Sequence, residues 1–287
     1  MKNKKIINLL VFLIIPAALL AAGLGIKPAK ELPRHYQYQS IRGEEVLSYG
    51  KGLYRHMSAE VGPQGIAQDY VTFFVAVPLL TIALFWANKG SLKGRFLLSG
   101  TLAYFLITYL FYLMMAMYNA LFLLYAFLLS ASFFTFSLTL LSFDLKGLSQ
   151  KFTSQTPIKL IGGFLVFNSS TIGSLWLSLV LPPLFDGSII PVEVEHYTTL
   201  VVQGLDLALL LPLAFVTGWL LIKRQPWGYL LGPICTIFLS LMMLALTAKI
   251  IVMGLLYYNI VPAIFIIPAF LGLAVLSSIL LLKNIKE

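Results

Sequence analysis

Asp206 and Lys249 are ionisable side chains inside long apolar runs, where a charge is costly and is by default a candidate for function. Asp206 falls about two helical turns into its run and Lys249 about 20 residues along the next one, so both sit at a similar depth. That placement suits an ion pair, direct or across an outward-facing cavity. The alternative is that Asp206 caps a helix while Lys249 stretches to the interface. Asn168 is the next candidate. It opens the string NSSTIGS, in which Ser169/Gly173 and Ser170/Ser174 are small-xxx-small pairs that let helices approach closely. In lipid its amide needs an interhelical partner. Tight packing is the plainer reading of this segment, and lining a substrate path is the sharper one. A third set, Thr101, Tyr104, Thr108 and Tyr112, recurs at helical spacing and forms one polar face. Ser132, Thr135 and Thr139 make a similar stripe.

These residues must be positioned by membrane helices. Of the 287 residues, 59% are hydrophobic and 11% charged, against about 45–50% and about 25% in soluble domains. Eight apolar runs are long enough to cross a bilayer: 6–26, 69–88, 96–117, 121–143, 158–181, 199–222, 228–249 and 261–282. They predict an all-α polytopic bundle forming one integral membrane domain over 1–287. The first run carries Lys2, Lys4 and Lys5 before it and Ala21, Ala22 and Gly23 near its end, as a signal peptide would. It is longer than a typical signal core and reads as an uncleaved anchor; cleavage would leave seven spans. Pro16, Pro78, Pro212, Pro262 and Pro268 fall within runs and should kink them.

The net charge of +9 is a topology signal. With the amino terminus inside, thirteen of the 20 basic residues fall on the inner side (Lys2, Lys4, Lys5, Lys89, Lys93, Arg95, Lys146, Lys151, Lys159, Lys223, Arg224, Lys283 and Lys286), facing only Asp144 and Glu287. The outer side holds six basic residues and eight acidic ones, Glu31 and Asp69 among them. This obeys the positive-inside rule, puts both termini in the cytoplasm and removes any nucleic-acid reading. The sizeable loops, 27–68 and 182–198, are both outer. The first interleaves Tyr36, Tyr38, Tyr49 and Tyr54 with Arg42, Lys51 and Arg55, and its aromatic content predicts a segment packed over the mouth of the bundle, as a lid or a plain cap.

His35, His56 and His196 all lie in outer segments. Intramembrane haem ligation, histidine metal catalysis and histidine proton relays are thereby excluded. Cys235 is the single cysteine, and no metal spacing, nucleotide motif or catalytic triad appears. No catalytic residue, metal or cofactor is assigned.

The chain also repeats itself. Pro212 follows Pro78 by 134 positions and Gly228 follows Gly94 by the same offset; Trp86 and Trp219 align within one residue. Thr236, Ser240, Met243 and Thr247 echo the face of Thr101 to Tyr112, and Tyr258-Asn259 echoes Tyr118-Asn119. Halves 1–150 and 151–287 would then be parallel four-span repeats related by an axis along the membrane normal.

The strings SYGKGLYRH, IAQDYVTFFVAVPLL, KGSLKGRFLLSGTLAYFL, MYNALFLLY, TTLVVQGLDLALLLPLAF and RQPWGYLL resemble an uncharacterised family of bacterial eight-span membrane proteins, over residues 38 to 255. Members carry an acidic residue where His56 stands here. The resemblance implies architecture and a bacterial plasma membrane. It draws attention to Asp69, Asn119 and Asp206 as motif residues and gives them no role. The leading expectation is transport or binding of a small molecule between the halves, lined by Asp206, Lys249, Asn168 and the Tyr104/Thr108/Tyr112 face. A structural or accessory subunit that partners another membrane protein is the alternative, and a lipid-modifying enzyme a third.

Overall fold

Eight helices long and apolar enough to cross a membrane run through this computed structural model, which describes residues 3–29 and 34–287. Lys2, Lys30 and Glu31, used in the charge assignment above, lie outside the described residues. The helices are α1 (Lys4–Ile26), α2 (Val61–Asn88), α3 (Leu92–Met114), α4 (Phe122–Leu140), α5 (Ile158–Phe185), α6 (Val201–Ile222), α7 (Pro226–Leu255) and α8 (Ala263–Lys283). Eight such helices fit a multi-pass membrane protein, and 71% of the structure is helical.

Three boundaries differ from the sequence reading. α2 starts at Val61, not at 69. Its first residues are too small and polar to register as a span. Gly62, Pro63, Gly65 and Ala67 are nevertheless buried, because Tyr49 lies over Gly62 and the Tyr54 ring over Gly65. Asp69 therefore sits within a helix rather than in a loop. α7 runs on to Leu255, so Lys249 is followed by more than a turn of helix. Pro262 is the N-cap residue of α8 and kinks nothing.

Two helices change pitch. In α2 the turn Thr72–Ala76 is a π-turn, and in α6 the turn Asp206–Leu210 is another. Each is followed by twelve α-helical residues with proline second, Pro78 in Val77–Asn88 and Pro212 in Leu211–Ile222. Proline has no N–H to continue the α-helical ladder. The preceding residue instead donates five positions back, Val77 to the Thr72 carbonyl and Leu211 to the Asp206 carbonyl. A π-turn of this kind re-aims the side chains on either side of it.

Both termini lie at one end of the bundle. Lys4 Nζ donates to the Asn88 carbonyl at 2.9 Å. The Glu287 carboxylate accepts from Ser91 Oγ at 2.7 Å and from the Leu92 amide at 2.9 Å, fastening the carboxy terminus to the start of α3. The opposite end carries the long connections. There β1 (Gln37–Gln39) pairs antiparallel with β2 (Glu45–Leu47), Tyr38 opposite Val46. The segment holding this hairpin docks on the α5–α6 connection. Arg42 donates to the Ile190 carbonyl, Tyr197 Oη accepts from the Ser58 amide at 3.1 Å, and the Tyr38 ring stacks on His196 at 4.6 Å.

α1, α2, α3 and α4 pack together, and so do α5, α6, α7 and α8; α7 joins the two sets by packing on α2 and α3. The largest apolar cluster is built mainly from the first four helices and takes in Leu241, Met242 and Ala245 of α7. A second cluster at the terminal end joins Phe96 to Phe152, Leu221, Leu230 and Leu281. A third lies between α5, α7 and α8 around Leu165, Leu239 and Phe270.

Candidate functional site

α2 places Gln68, Asp69 and Thr72 within one turn, and α3 presents Tyr104, Thr108 and Tyr112 at spacings of four. The two faces meet. Gln68 Nε2 donates to Tyr104 Oη at 2.8 Å and to Thr108 Oγ1 at 3.2 Å. Thr72 Oγ1 lies 2.9 Å from Tyr104 Oη and donates back to the Gln68 carbonyl at 3.0 Å. The polar face read from the sequence thus faces a second polar face, and these groups bond to one another away from water, with Gln68 Oε1 alone of them left without a partner.

Asp69 is the centre of this network and is only 1% exposed. Tyr54 of the loop-end cap donates to its Oδ2 at 2.5 Å, and Tyr112 donates to its Oδ1 at 2.9 Å. Tyr112 Oη also lies 3.0 Å from the Gly65 carbonyl. Burial pushes the Tyr54 phenol well above its ordinary value, so it remains a donor. α1 passes close by at Gly25, where a Cβ atom would overlap the Asp69 carboxylate. Glycine is needed there for that approach.

Lys249 stands on α7, which packs on the Val61–Val71 part of α2 that carries Asp69 and on the Leu211–Ile222 part of α6 that follows Asp206. It forms no direct ion pair with either: the one close ion pair among the described residues is Arg42 with Glu44, at 3.4 Å. The Asp206 Oδ2 atom accepts instead from Trp176 Nε1 of α5 at 2.8 Å. Counted along their helices, Asp69, Asp206 and Lys249 lie about 12, 8 and 9 Å from the loop-end tips, so they share a level. α2, α6 and α7 contribute one charged group each to this level, and α7 packs on both of the other two helices.

The remaining sequence candidates lie elsewhere. Asn168 is buried in α5, and neither atom of its amide has a hydrogen-bond partner; the expected interhelical partner is not formed. Asn119 Oδ1 accepts from the Leu121 amide at 2.9 Å and closes the turn into α4. Tyr54, Gln68, Thr72, Trp176 and Gly25 belong to the site and were not singled out for it. Gln68 and Thr72 flank Asp69 at helical spacing, a signal hidden while 61–68 read as loop. Trp176 and Gly25 left none.

A cavity of about 200 Å³ lies at the loop end, lined by Lys27, Tyr49, Lys51, Leu53, Tyr54 and Ile66 among others. Tyr54 borders it with one side and reaches Asp69 with its hydroxyl. Asp206 and Lys249 do not line it. Among the described residues no three His, Cys, Asp or Glu side chains gather where a metal ion could sit. Comparison of the chain with known protein families, curated proteins and solved structures finds no match.

Proposed function

We propose that this protein is a carrier that binds a small solute at the junction of two four-helix halves and moves it across a bacterial plasma membrane, with both termini cytoplasmic. The observation that carries this reading is the set of three intramembrane charges: Asp69 of the first half on a helix segment packed against α7, and Lys249 on α7 with Asp206 on α6 in the second half. Ionisable groups within spans that are not locked in a direct ion pair are candidates for a solute or ion site; Asp69 is buried, and Asp206 and Lys249 are half-buried. Asn168, with its amide unpartnered, is a further polar group available to a solute.

The two halves are read as parallel repeats. The π-turns Thr72–Ala76 and Asp206–Leu210 are 134 positions apart, as are the helix ends Asn88 and Ile222. Gly94 packs against Trp86 and Ala87, and Gly228 against Leu220 and Leu221, at the same offset. The even number of spans and the basic residues at the terminal end support the orientation.

The test is electrical. The purified protein in liposomes on a solid-supported membrane is exposed to jumps of amino acids, organic cations, organic anions and sugars. A solute class that evokes a transient current in the wild type, abolished in K249M and D69N, is the expected result. No current with any class, or currents indifferent to both substitutions, would sink the carrier reading.

A further inference from the structure

The hydrogen bonds around Asp69 are arranged for a group that gains and loses a proton. A phenol has one proton to give, and Tyr112 Oη has two acceptors within reach, Asp69 Oδ1 at 2.9 Å and the Gly65 carbonyl at 3.0 Å. When Asp69 is ionised, Tyr112 donates to Oδ1. When Oδ1 carries a proton, that proton is donated to Tyr112 Oη, and the Tyr112 hydroxyl turns to Gly65. Tyr54 donates to Oδ2 in both states. Every hydroxyl proton is used in either state, and one hydroxyl rotation connects them.

Charge balance points the same way. The level holds two carboxylic acids and one amine, so with all three ionised it carries a net negative charge within the membrane. One bound proton makes it neutral, which a low-dielectric interior favours. The two acids differ in which can hold it. Asp206 Oδ2 accepts from the indole Nε1 of Trp176, which leaves its protonation open, but among the described residues no hydroxyl stands at Asp206 Oδ1 to accept a proton. Asp69 Oδ1 faces a hydroxyl that can donate or accept. The titratable groups around Asp69 are Tyr54 from the cap, Tyr104, Tyr109 and Tyr112 from α3, Tyr125 from α4 and Lys249 from α7. α1 presents Gly25, with no side chain. Lys249 is the one cation of this set, and it is shared with Asp206 on α6.

We propose that Asp69 is a proton-binding site, with Tyr112 as the hydroxyl that turns and Lys249 as a counter-charge shared between Asp69 and Asp206. Protonation comes from water through the cavity bordered by Tyr54, and it releases Lys249 to Asp206. The proposal rests on the carrier reading only in naming the coupling ion; the site can be tested without any solute.

Infrared difference spectra of the full-length protein in liposomes, taken between pH 5 and 9, read the carboxylic C=O stretch directly. A band that grows on acidification, vanishes in D69N and persists in D206N is expected. K249M should raise its midpoint by about one pH unit, a tenfold gain in proton affinity, because the cation favouring the carboxylate is gone. D206N should lower the midpoint, because Lys249 then serves Asp69 alone. The cap carboxylates Glu60 and Glu195 are raised by burial above their ordinary value, so the spectra are recorded in an E60Q/E195Q background; should D69N fail to fold, a band kept in D206N and shifted by Y112F assigns it to Asp69. A band lost in D206N and kept in D69N overturns the proposal, as does the lack of any pH-dependent band. Midpoints unmoved by K249M overturn the shared counter-charge. The expected band without any solute current would sink the carrier reading and leave the proton site standing; currents without the band would do the reverse.

Discussion

The site hangs on contacts that single atoms decide. At Gly25 a methyl group would occupy the space of the Asp69 carboxylate, whereas at Gly23, two residues earlier on α1, it would meet only the Phe73 ring at an ordinary 3.5 Å. G25A should therefore destabilise the protein by about 1–3 kcal/mol through overpacking, while G23A should be neutral or slightly stabilising, since alanine suits a helix better by about 0.5–1 kcal/mol. Thermal unfolding in detergent separates the two, and equal melting temperatures would refute the close approach. The carboxylate has its own order of effects. D69A strips the acceptor from Tyr54 and Tyr112 and leaves Lys249 with one counter-charge fewer, a loss of about 3–5 kcal/mol for a buried ionic group. D69N keeps an acceptor and the shape, and should cost less. A D69N protein as unstable as D69A would mean that charge, not hydrogen bonding, holds the site.

At the scale of elements, the π-turn in α2 sets the rotation of Gln68 and Asp69 relative to the helix below them. Deleting Val75, whose side chain is exposed, should return the turn to α pitch and swing residues 61–71 by about 100°. Gln68 would then lose Tyr104, and Asp69 would lose Tyr112. The deletion should abolish the infrared band of Asp69 while circular dichroism shows the helix content kept; a retained band would mean that the turn does not position the site. The cap is a second element with a definite pH behaviour. Burial and the neighbouring Glu195 and Glu193 raise Glu60 above its ordinary 4.5, and burial raises Glu195. These carboxylates favour a docked cap most below that value, and the contribution is lost as pH rises through their raised values. Burial lowers His196 below 6.5, and burial followed by Arg55 lowers His56. Their contribution is present above 6.5 and is lost as pH falls through the lowered values. The carboxylates thus give docking an alkaline limb that falls as pH rises, and the histidines an acid limb that falls as pH drops. E195Q should flatten the alkaline limb of amide protection over 36–60, after correction for intrinsic exchange rates; an unchanged limb would remove Glu195 from the account. The sequence made the long apolar helices plain, along with the polar α3 face and the two isolated charges, because rare polar groups stand out against leucine and phenylalanine. It named Asp69 without a role and left it at the edge of a loop, because VGPQGIAQ has the composition of a loop; in the structure this segment is helix, with Tyr49 and Tyr54 covering its glycines.

Over the whole molecule, the two halves are separate in connectivity and joined in packing. A break in the α4–α5 connection, between 150 and 151, cuts none of the eight long helices and only the short 3-10 turn Ser149–Lys151, yet Leu241, Met242 and Ala245 belong to a cluster whose other buried members come from the first half, and Phe96 and Leu148 belong to one whose other buried members come from the second. Neither half buries its own apolar surface without the other. Fragments 1–150 and 151–287 should therefore accumulate poorly when made singly and copurify when made together. The crossing of α3 and α7 is where that association is decided. A Cβ atom at Gly100 would lie 2.5 Å from Ile237 Cβ and 3.1 Å from the Ile234 carbonyl, and Ile234 is the position 134 residues after Gly100. Under the proposed repeat, this contact lies on the axis relating the halves, so a bulky residue there forces them apart without touching the packing within either. G100L should abolish copurification of the fragments. G163L, at an α5 position where a Cβ meets nothing within 4 Å, should leave it intact. Copurification that survives G100L would place the junction of the halves elsewhere, and the shared charged level with it.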